Sequence, residues 1–540
     1  MPRLVTAGQA IVDGLIRNGV RQIFGIPGVH TYHLIDALAE RQEELKYIGT
    51  RHEQGAAYMA YGYAKSSGRI GTYTCVPGPG VLNTGGALCT AYAANAPVLC
   101  LTSEVFSHEI GKGHGILHEL PDQLAILRGL TKWAERISHP ADAPRLVARA
   151  FEELLSGRPR PVALECPWDI LGQQALVDLD VSAKPVAPPD PDPAAIELAA
   201  RLIGAAVNPM IMVGSGALHA GVEVLELARL LQAPVTAHRS GRGIVSEELP
   251  YGISFAAAFP AWLKTDVLIA IGTRMELQFI RWKHVPAGLK IVRIDIDPRE
   301  IPRRPTDCAI VTDARLGTRA LVAALAGKIR ARPSREAQFT ALKARAREQY
   351  QSVQPQVAYL DVIRAVLPRD AFLVEEISQV GFTARFAFPV YEPRTYVASG
   401  YQDNLGFGYM TALGVKVANP GKAVVSINGD GGFMFGVQEL ATAVQYRIGC
   451  IAIVFNNRSF GNVLRDQKTL FGGRYLGEGL QNPDFVKLAE SFGAAAYRAE
   501  TPAQLRSVLE VALAEDAPAL IEVPGEPGAE VSPWPFIHPA

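Results

Sequence analysis

"NGDGGFMFGVQELATAVQYRIGCIAIVFNN" (Asn428–Asn457) sets one Asp among glycines, runs through a helix-like stretch and an apolar run, and stops on two asparagines. The apolar "KAVVSIN" before it and "CIAIVFNN" within it read as parallel strands with a helix between them. In such a sheet ligands sit beyond the carboxyl ends of the strands, and both polar clusters fall at those ends. Gly429, Gly431 and Gly432 allow a tight turn and close approach of backbone N–H groups to an anion, and a following helix N-terminus favours a phosphate there. Asp430 and Asn457 would lie side by side, a carboxylate and an amide carbonyl suited to Mg²⁺, with the Ser459 carbonyl as a third oxygen. Met434 stands where GxGxxG needs its last glycine, and no Lys-Ser/Thr pair follows as in a P-loop. A Gly-rich turn plus an Asn turn, with no ligand, is the competing reading.

The rest of the 540-residue chain fits that architecture. The length suggests about three domains. "SAKPVAPPDPDPA" (182–194) reads as a linker, and the charged "SREAQFTALKARAREQYQ" (334–351) as a second boundary. The expected domains are therefore 1–182, 190–333 and 352–540, each a parallel-sheet α/β unit. "PVLCLTS" and "PVALEC" supply strands in the first, and "PMIMVGSG", "DVLIAIG" and "KIVRIDID" in the second.

Lys+Arg and Asp+Glu balance at 53 each, which argues against a nucleic-acid partner. No apolar run reaches the ~18 residues of a membrane span, and the N-terminus reads as an amphipathic helix rather than a signal peptide. Six scattered cysteines without metal spacing read as free thiols in a reducing compartment. The expectation is a cytoplasmic protein.

GDG, then 24 residues (432–455), then NN resembles the thiamine diphosphate (ThDP) signature. "FGIPGVHTYHLIDAL", "RHEQGAAYMAYGYAK", "GPGVLNTGGALCTAYAANAPVL" and "VRIDIDPREI" resemble the acetolactate synthase and 2-oxoacid decarboxylase superfamily along the whole chain. "TKWAERI" and "PVALECPWDIL" look closest to benzaldehyde lyase and acetolactate-synthase-like enzymes.

The resemblance implies three ThDP-enzyme domains (pyrimidine-binding, central, diphosphate-binding), with ThDP and Mg²⁺ as cofactors. It implies a homodimer or homotetramer with active sites between subunits, and a small carbonyl substrate. Glu53 would be the carboxylate that activates the cofactor's aminopyrimidine, a general acid–base role; read alone it is a helix N-terminal acid. Leu405 in "SGYQDNLGFGYMTALG" falls at the position that bends the cofactor, where relatives often carry Met, and the backbone at Asp403 would face the pyrimidine. His30, beside Val29, aligns with a proton-transferring His of benzaldehyde lyase, and imidazole suits that task. His118 replaces a Gln and would be a second relay or a hydrogen-bond donor. Packing and solvent roles are expected for His33 and His114.

Glu104 stands where acetolactate synthases carry Gln, and Asp466 near a position where they carry Trp. With Ser378, Asp403, Asn462 and Arg465 these residues suggest a polar pocket. The implied reaction is carbon–carbon lyase or carboligase chemistry on aldehydes, 2-hydroxyketones or 2-oxo acids; simple 2-oxoacid decarboxylation is the alternative, and flavin-dependent oxidation a further one. The turn Gly214–Gly216 could hold FAD, but an empty structural central domain is the expectation.

Overall fold

The computed structural model describes residues 1–539. Three six-stranded sheets, each wholly parallel, follow one another along the chain. Their strands are apolar on both faces because helices cover both sides, so alternation is lost and continuous apolar runs remain.

The first sheet runs in the order Lys46–Gly49, Gln22–Gly25, Gly71–Cys75, Val98–Glu104, Val162–Pro167, Trp133–Arg136. The central sheet is built on Pro209–Val213, Val267–Ile271 and Lys290–Asp295. The third runs Tyr396–Val397, Phe372–Glu375, Val424–Gly429, Ile451–Asn456, Ala519–Pro524, Ala495–Arg498. Its two central strands pair Gly429 with Phe455, so Asp430 and the Asn456–Asn457 pair leave the sheet together.

Two local features differ from the sequence expectations. The N-terminus is a strand, Arg3–Thr6, paired antiparallel with Gln174–Val177, before the helix Ala7–Arg17 begins behind a Thr6/Gln9 capping box. The helix after Asp430 is one turn, Asp430–Phe433, and the next segment breaks into Val437–Glu439 and Leu440–Gln445. A single turn carries little macrodipole, so the anion-binding capacity here rests on individual N–H groups. The segment read as a boundary is a helix, Glu336–Tyr350, docked on the central domain: Phe339 is fully buried against Tyr251, and Lys343 Nζ donates to the Leu249 carbonyl. Tyr350 at its other end is buried too and packs on Phe386 and Phe536 of the third domain, so two aromatics anchor this largely charged helix where the two domains meet.

The first and third domains meet through two buried helices, Glu53–Ser67 and Gly408–Ala418. Their backbones touch. A Cβ at Gly62 would stand 2.0 Å from the Thr411 carbonyl oxygen, and one at Gly414 1.9 Å from that of Met59. Only glycine permits this crossing. Among the described residues no helix is long and apolar enough to cross a membrane.

Candidate active site

A cavity of about 280 Å³ opens at the carboxyl ends of the third sheet. Ser378, Leu405, Gly429, Asp430, Gly431, Gly432, Asn457, Ser459 and Asn462 all line it. Asp430 is 2% exposed, and its carboxylate accepts from Asn482 Nδ2 at 2.6 Å. Burial raises its pKa, with Asn482 and the Gly431 N–H working the other way. The Asn457 carbonyl oxygen accepts from the Ser459 N–H (3.0 Å) and hydroxyl (3.1 Å), while its Nδ2 donates to Glu530 at 2.6 Å. The loop is tight: a Cβ on Gly431 would stand 2.5 Å from the Phe460 ring, and one on Gly432 3.0 Å from Glu376.

These residues fit a hard divalent cation carrying a diphosphate. One buried carboxylate, one amide oxygen and one backbone carbonyl leave the remaining positions of an octahedron to phosphate oxygens and water.

Glu53 begins the helix Glu53–Ser67 behind the N-cap His52. Its Oε2 accepts from Asn83 Nδ2 at 3.0 Å, and Gly80 lies alongside, with its Cβ position 3.7 Å from Oε1. A residue that sequence reasoning missed holds this end in place. Glu439, fully buried in the third domain, accepts from the N–H groups of Arg51 (3.1 Å) and His52 (3.0 Å) and from the Thr442 hydroxyl (2.6 Å).

His30 and His118 come together although His30 and the Leu117 carbonyl it contacts are 87 positions apart in sequence. Their rings stack with centroids 4.8 Å apart at 22°, and Trp168 packs on His30 at 4.9 Å. His30 Nε2 donates to the Leu117 carbonyl at 3.0 Å; because a carbonyl only accepts, the hydrogen must be on Nε2. His30 Nδ1 is then a buried acceptor without a partner, as His118 Nδ1 is also partnerless. Burial lowers the His30 pKa and the neighbouring His118 lowers it further, against the Leu117 carbonyl. His30 is fully buried and His118 partly exposed, so His118 is the member a substrate could meet.

Glu53, His30 and His118 do not line the cavity of Asp430. The first domain and the third each carry one half of the predicted residue set.

Asp403, Arg465 and Val29 do not line the cavity of Asp430, and His33 and His114 face solvent. The Asp403 side chain is not a pocket group: Arg385 (2.9 Å) and Arg239 (2.7 Å) clamp it, and the residue is left-handed at φ 44°. Burial opposes its charge, but the two arginines hold it below the usual carboxylate range. Arg465 lies behind the cavity wall, donating to Asn462 Oδ1 (3.1 Å) and Asp466 (2.6 Å). Val29 is in a short turn, Val29–Thr31, away from the cavity. His33 and His114 are exposed, the latter on Glu109 at 2.7 Å.

Glu376 was missed as well. It accepts from the N–H groups of Gly406 (2.8 Å) and Gly408 (2.7 Å), fixing the loop that carries Leu405, and burial pushes it up to about 7 against those bonds. Its only signal in sequence is a pair of glutamates at the end of the apolar "FLV" run. The C-terminal segment forms part of the cavity wall: Glu526, Ala529 and Glu530 line it, and Trp534 Nε1 donates to Asn462 Oδ1 at 3.2 Å.

Comparison with known proteins identifies the class. Models of the thiamine pyrophosphate enzymes match in all three domains: the N-terminal TPP binding domain over residues 5–126, the central domain over 196–321 and the C-terminal TPP binding domain over 376–523. The chain belongs to this family and is a ThDP-dependent enzyme similar over its whole length to acetolactate synthases. Its relatives include a probable 2-ketoarginine decarboxylase of Pseudomonas aeruginosa, 34% identical over 96% of this chain and 94% of that protein. A probable acetolactate synthase large subunit of Methanocaldococcus jannaschii is 35% identical over 97% and 92%. The acetolactate synthase isozyme 3 large subunit of Escherichia coli is 30% identical over 94% and 92%.

Proposed function

We propose that this enzyme uses ThDP and Mg²⁺ to make or break the carbon–carbon bond next to a carbonyl in 2-oxo acids, aldehydes or 2-hydroxyketones. Asp430, Asn457 Oδ1 and the Ser459 carbonyl would hold Mg²⁺ and through it the diphosphate, with Gly429–Gly432 giving the anion close backbone access. Bound there, ThDP supplies the electron sink for a bond to a carbonyl carbon. Glu53 holds a proton against the aminopyrimidine, and Leu405 supports the bent cofactor.

The stacked His30–His118 pair carries the assignment of reaction class. His118 can give a proton to, or take one from, the substrate oxygen next to the breaking bond. His30, kept neutral by burial, backs it with a free lone pair. Asn462 favours oxygen-bearing substrates. Arg465 and Trp534 are donor-only groups and both face Asn462 Oδ1, so that atom is the oxygen and its NH₂ is the remaining donor. An oxygen-rich 2-oxo acid is the favoured donor substrate. Decarboxylation without a carbonyl acceptor is a second reading, supported by the relative named as a 2-ketoarginine decarboxylase.

The separation of Glu53 from the Asp430 cavity within one chain supports a homodimer, or a dimer of dimers, with each active site shared. Leu82 and Leu117, next to Asn83 and His118, are exposed, as are Met434 and Phe435 after the Asp430 loop. A second subunit would cover such apolar surface. For the central domain we favour a structural role without FAD. Cβ atoms at Gly214 and Gly216 would stand 2.4 and 2.8 Å from the Gly272 backbone, so chain packing already accounts for these glycines. Six free cysteines suit a cytoplasmic setting.

The test is an NMR time course with ThDP, Mg²⁺ and pyruvate. Acetolactate supports carboligation and acetaldehyde the decarboxylase reading. No consumption, followed by turnover in a panel of aldehydes and 2-hydroxyketones, would replace the 2-oxo acid assignment with an acyloin lyase.

A further inference from the structure

Beneath the histidine pair lies a buried polar cluster that the reaction does not use. Glu104 and Glu165 stand at the carboxyl ends of two paired strands, Val98–Glu104 and Val162–Pro167. Arg136, from the neighbouring strand, reaches Glu165 Oε1 at 2.5 Å and Glu104 Oε2 at 3.8 Å. Gln123, the first residue of the helix Gln123–Leu130, completes the cluster and is 1% exposed. Two carboxylates have been buried, beside a partly exposed guanidinium, where apolar side chains would pack at lower cost, which calls for a reason.

The Gln123 amide supplies one. Its Nε2 donates to the Ser103 carbonyl and to Glu165 Oε2, both at 2.9 Å, and its Oε1 accepts the Gly78 N–H at 2.8 Å. The orientation is fixed by chemistry: a carbonyl can only accept and an N–H can only donate. Gly78 is left-handed at φ 61°, and its carbonyl accepts the Leu82 N–H to open the helix Pro79–Asn83. A Cβ on Gly78 would stand 2.4 Å from the backbone oxygen of His118, itself left-handed at φ 66°. The same turn carries Gly80 and Asn83, the two neighbours of Glu53.

We propose that Gln123, braced by Glu165, Arg136 and Glu104, is a positioning residue that fixes the Gly78 turn between Glu53 and His118. One hydrogen bond thereby sets both the acid that meets the cofactor and the base that meets the substrate. The roles of Glu53 and His118 rest on the function proposed above, whereas the clamp rests on the contacts themselves. Burial and the Glu165 carboxylate push Glu104 up to about 7, with the Val105 N–H and Arg136 opposing, so the cluster is poised to hold a proton without a second cation.

The experiment is Gln123→Met, which keeps the side chain's bulk and leaves the Gly78 N–H unpaired, beside Ser103→Ala, which keeps the only Ser103 atom that Gln123 uses. ThDP half-saturation is read from tryptophan fluorescence with Mg²⁺ and no substrate; kcat, KM and the pH profile of kcat are read with the substrate found by NMR. For Gln123→Met the expected result is roughly tenfold weaker ThDP binding and roughly tenfold lower kcat at saturating ThDP. KM should change little and the pH profile of kcat should shift, while Ser103→Ala behaves as wild type. If Gln123→Met does not fold, Gln123→Asn, which withdraws the amide by one methylene, carries the same test. A variant that melts earlier but keeps ThDP half-saturation, kcat and pH profile within twofold of wild type overturns the proposal. The ThDP measurement needs no substrate, so an error in the reaction assignment leaves it decisive; wild-type protein that binds no ThDP would overturn both.

Discussion

Glu439 offers a quantitative test of how the third domain sets the catalytic helix of the first. Glu439→Ala removes the acceptor of two backbone N–H groups and one hydroxyl. At about 1 kcal/mol for each bond lost, and more where the donor stays dry, the cost is about 3 kcal/mol. Glu439→Gln should cost less than about 1 kcal/mol: its Oε1 can still face Arg51 and His52, and its NH₂ can donate to a Thr442 hydroxyl that turns to accept. Burial already raises the Glu439 pKa, so a neutral side chain is no stranger to this site.

Gly55 sharpens the test. A Cβ there would stand 2.4 Å from Glu439 Oε1. Gly55→Ala should therefore destabilise the wild type despite the roughly 1 kcal/mol that Ala gains over Gly inside a helix, yet stabilise the Glu439→Ala background. Chemical denaturation of the four proteins gives the coupling directly. Equal costs for Ala and Gln at position 439, or additive effects of the two substitutions, would refute the contact as the origin of the helix's placement.

Asp430→Ala should abolish Mg²⁺-dependent ThDP binding in a titration with and without chelator, and unchanged affinity would locate the cation elsewhere. Glu53→Gln should retain ThDP but lose turnover, as followed by steady-state assay at saturating cofactor. His118→Phe should keep the stack on His30 and lower kcat by roughly 10²-fold or more, the scale of a lost general acid–base. Glu104 binds its proton more tightly folded than unfolded, so its contribution to stability falls as pH rises from about 4.5 to about 7 and is constant above. Glu104→Gln should therefore gain on wild type in denaturation at pH 8 relative to pH 5, by about 3 kcal/mol at most.

The strands were readable because burial on both faces demands continuous apolar runs, and the Asp430 and Asn457 clusters because they end two such runs at one edge. Motif resemblance reached Glu53, His30 and His118, but not the stacking of the two histidines, which depends on the loop before Gln123 folding back over the first sheet. Glu376, Glu439 and Gln123 escaped notice for one physical reason. Each serves backbone N–H groups of a distant segment, and backbone leaves no mark in sequence.

The division of the site residues between two domains that do not share a cavity has a genetic consequence. If each site draws Glu53 from one chain and Asp430 from another, two defective alleles can rescue each other. Co-expressed Glu53→Gln and Asp430→Ala chains would form mixed dimers in which one site carries both lesions and the other neither. Activity would then return from two inactive parents, and half-of-sites recovery would be the ceiling in each mixed pair.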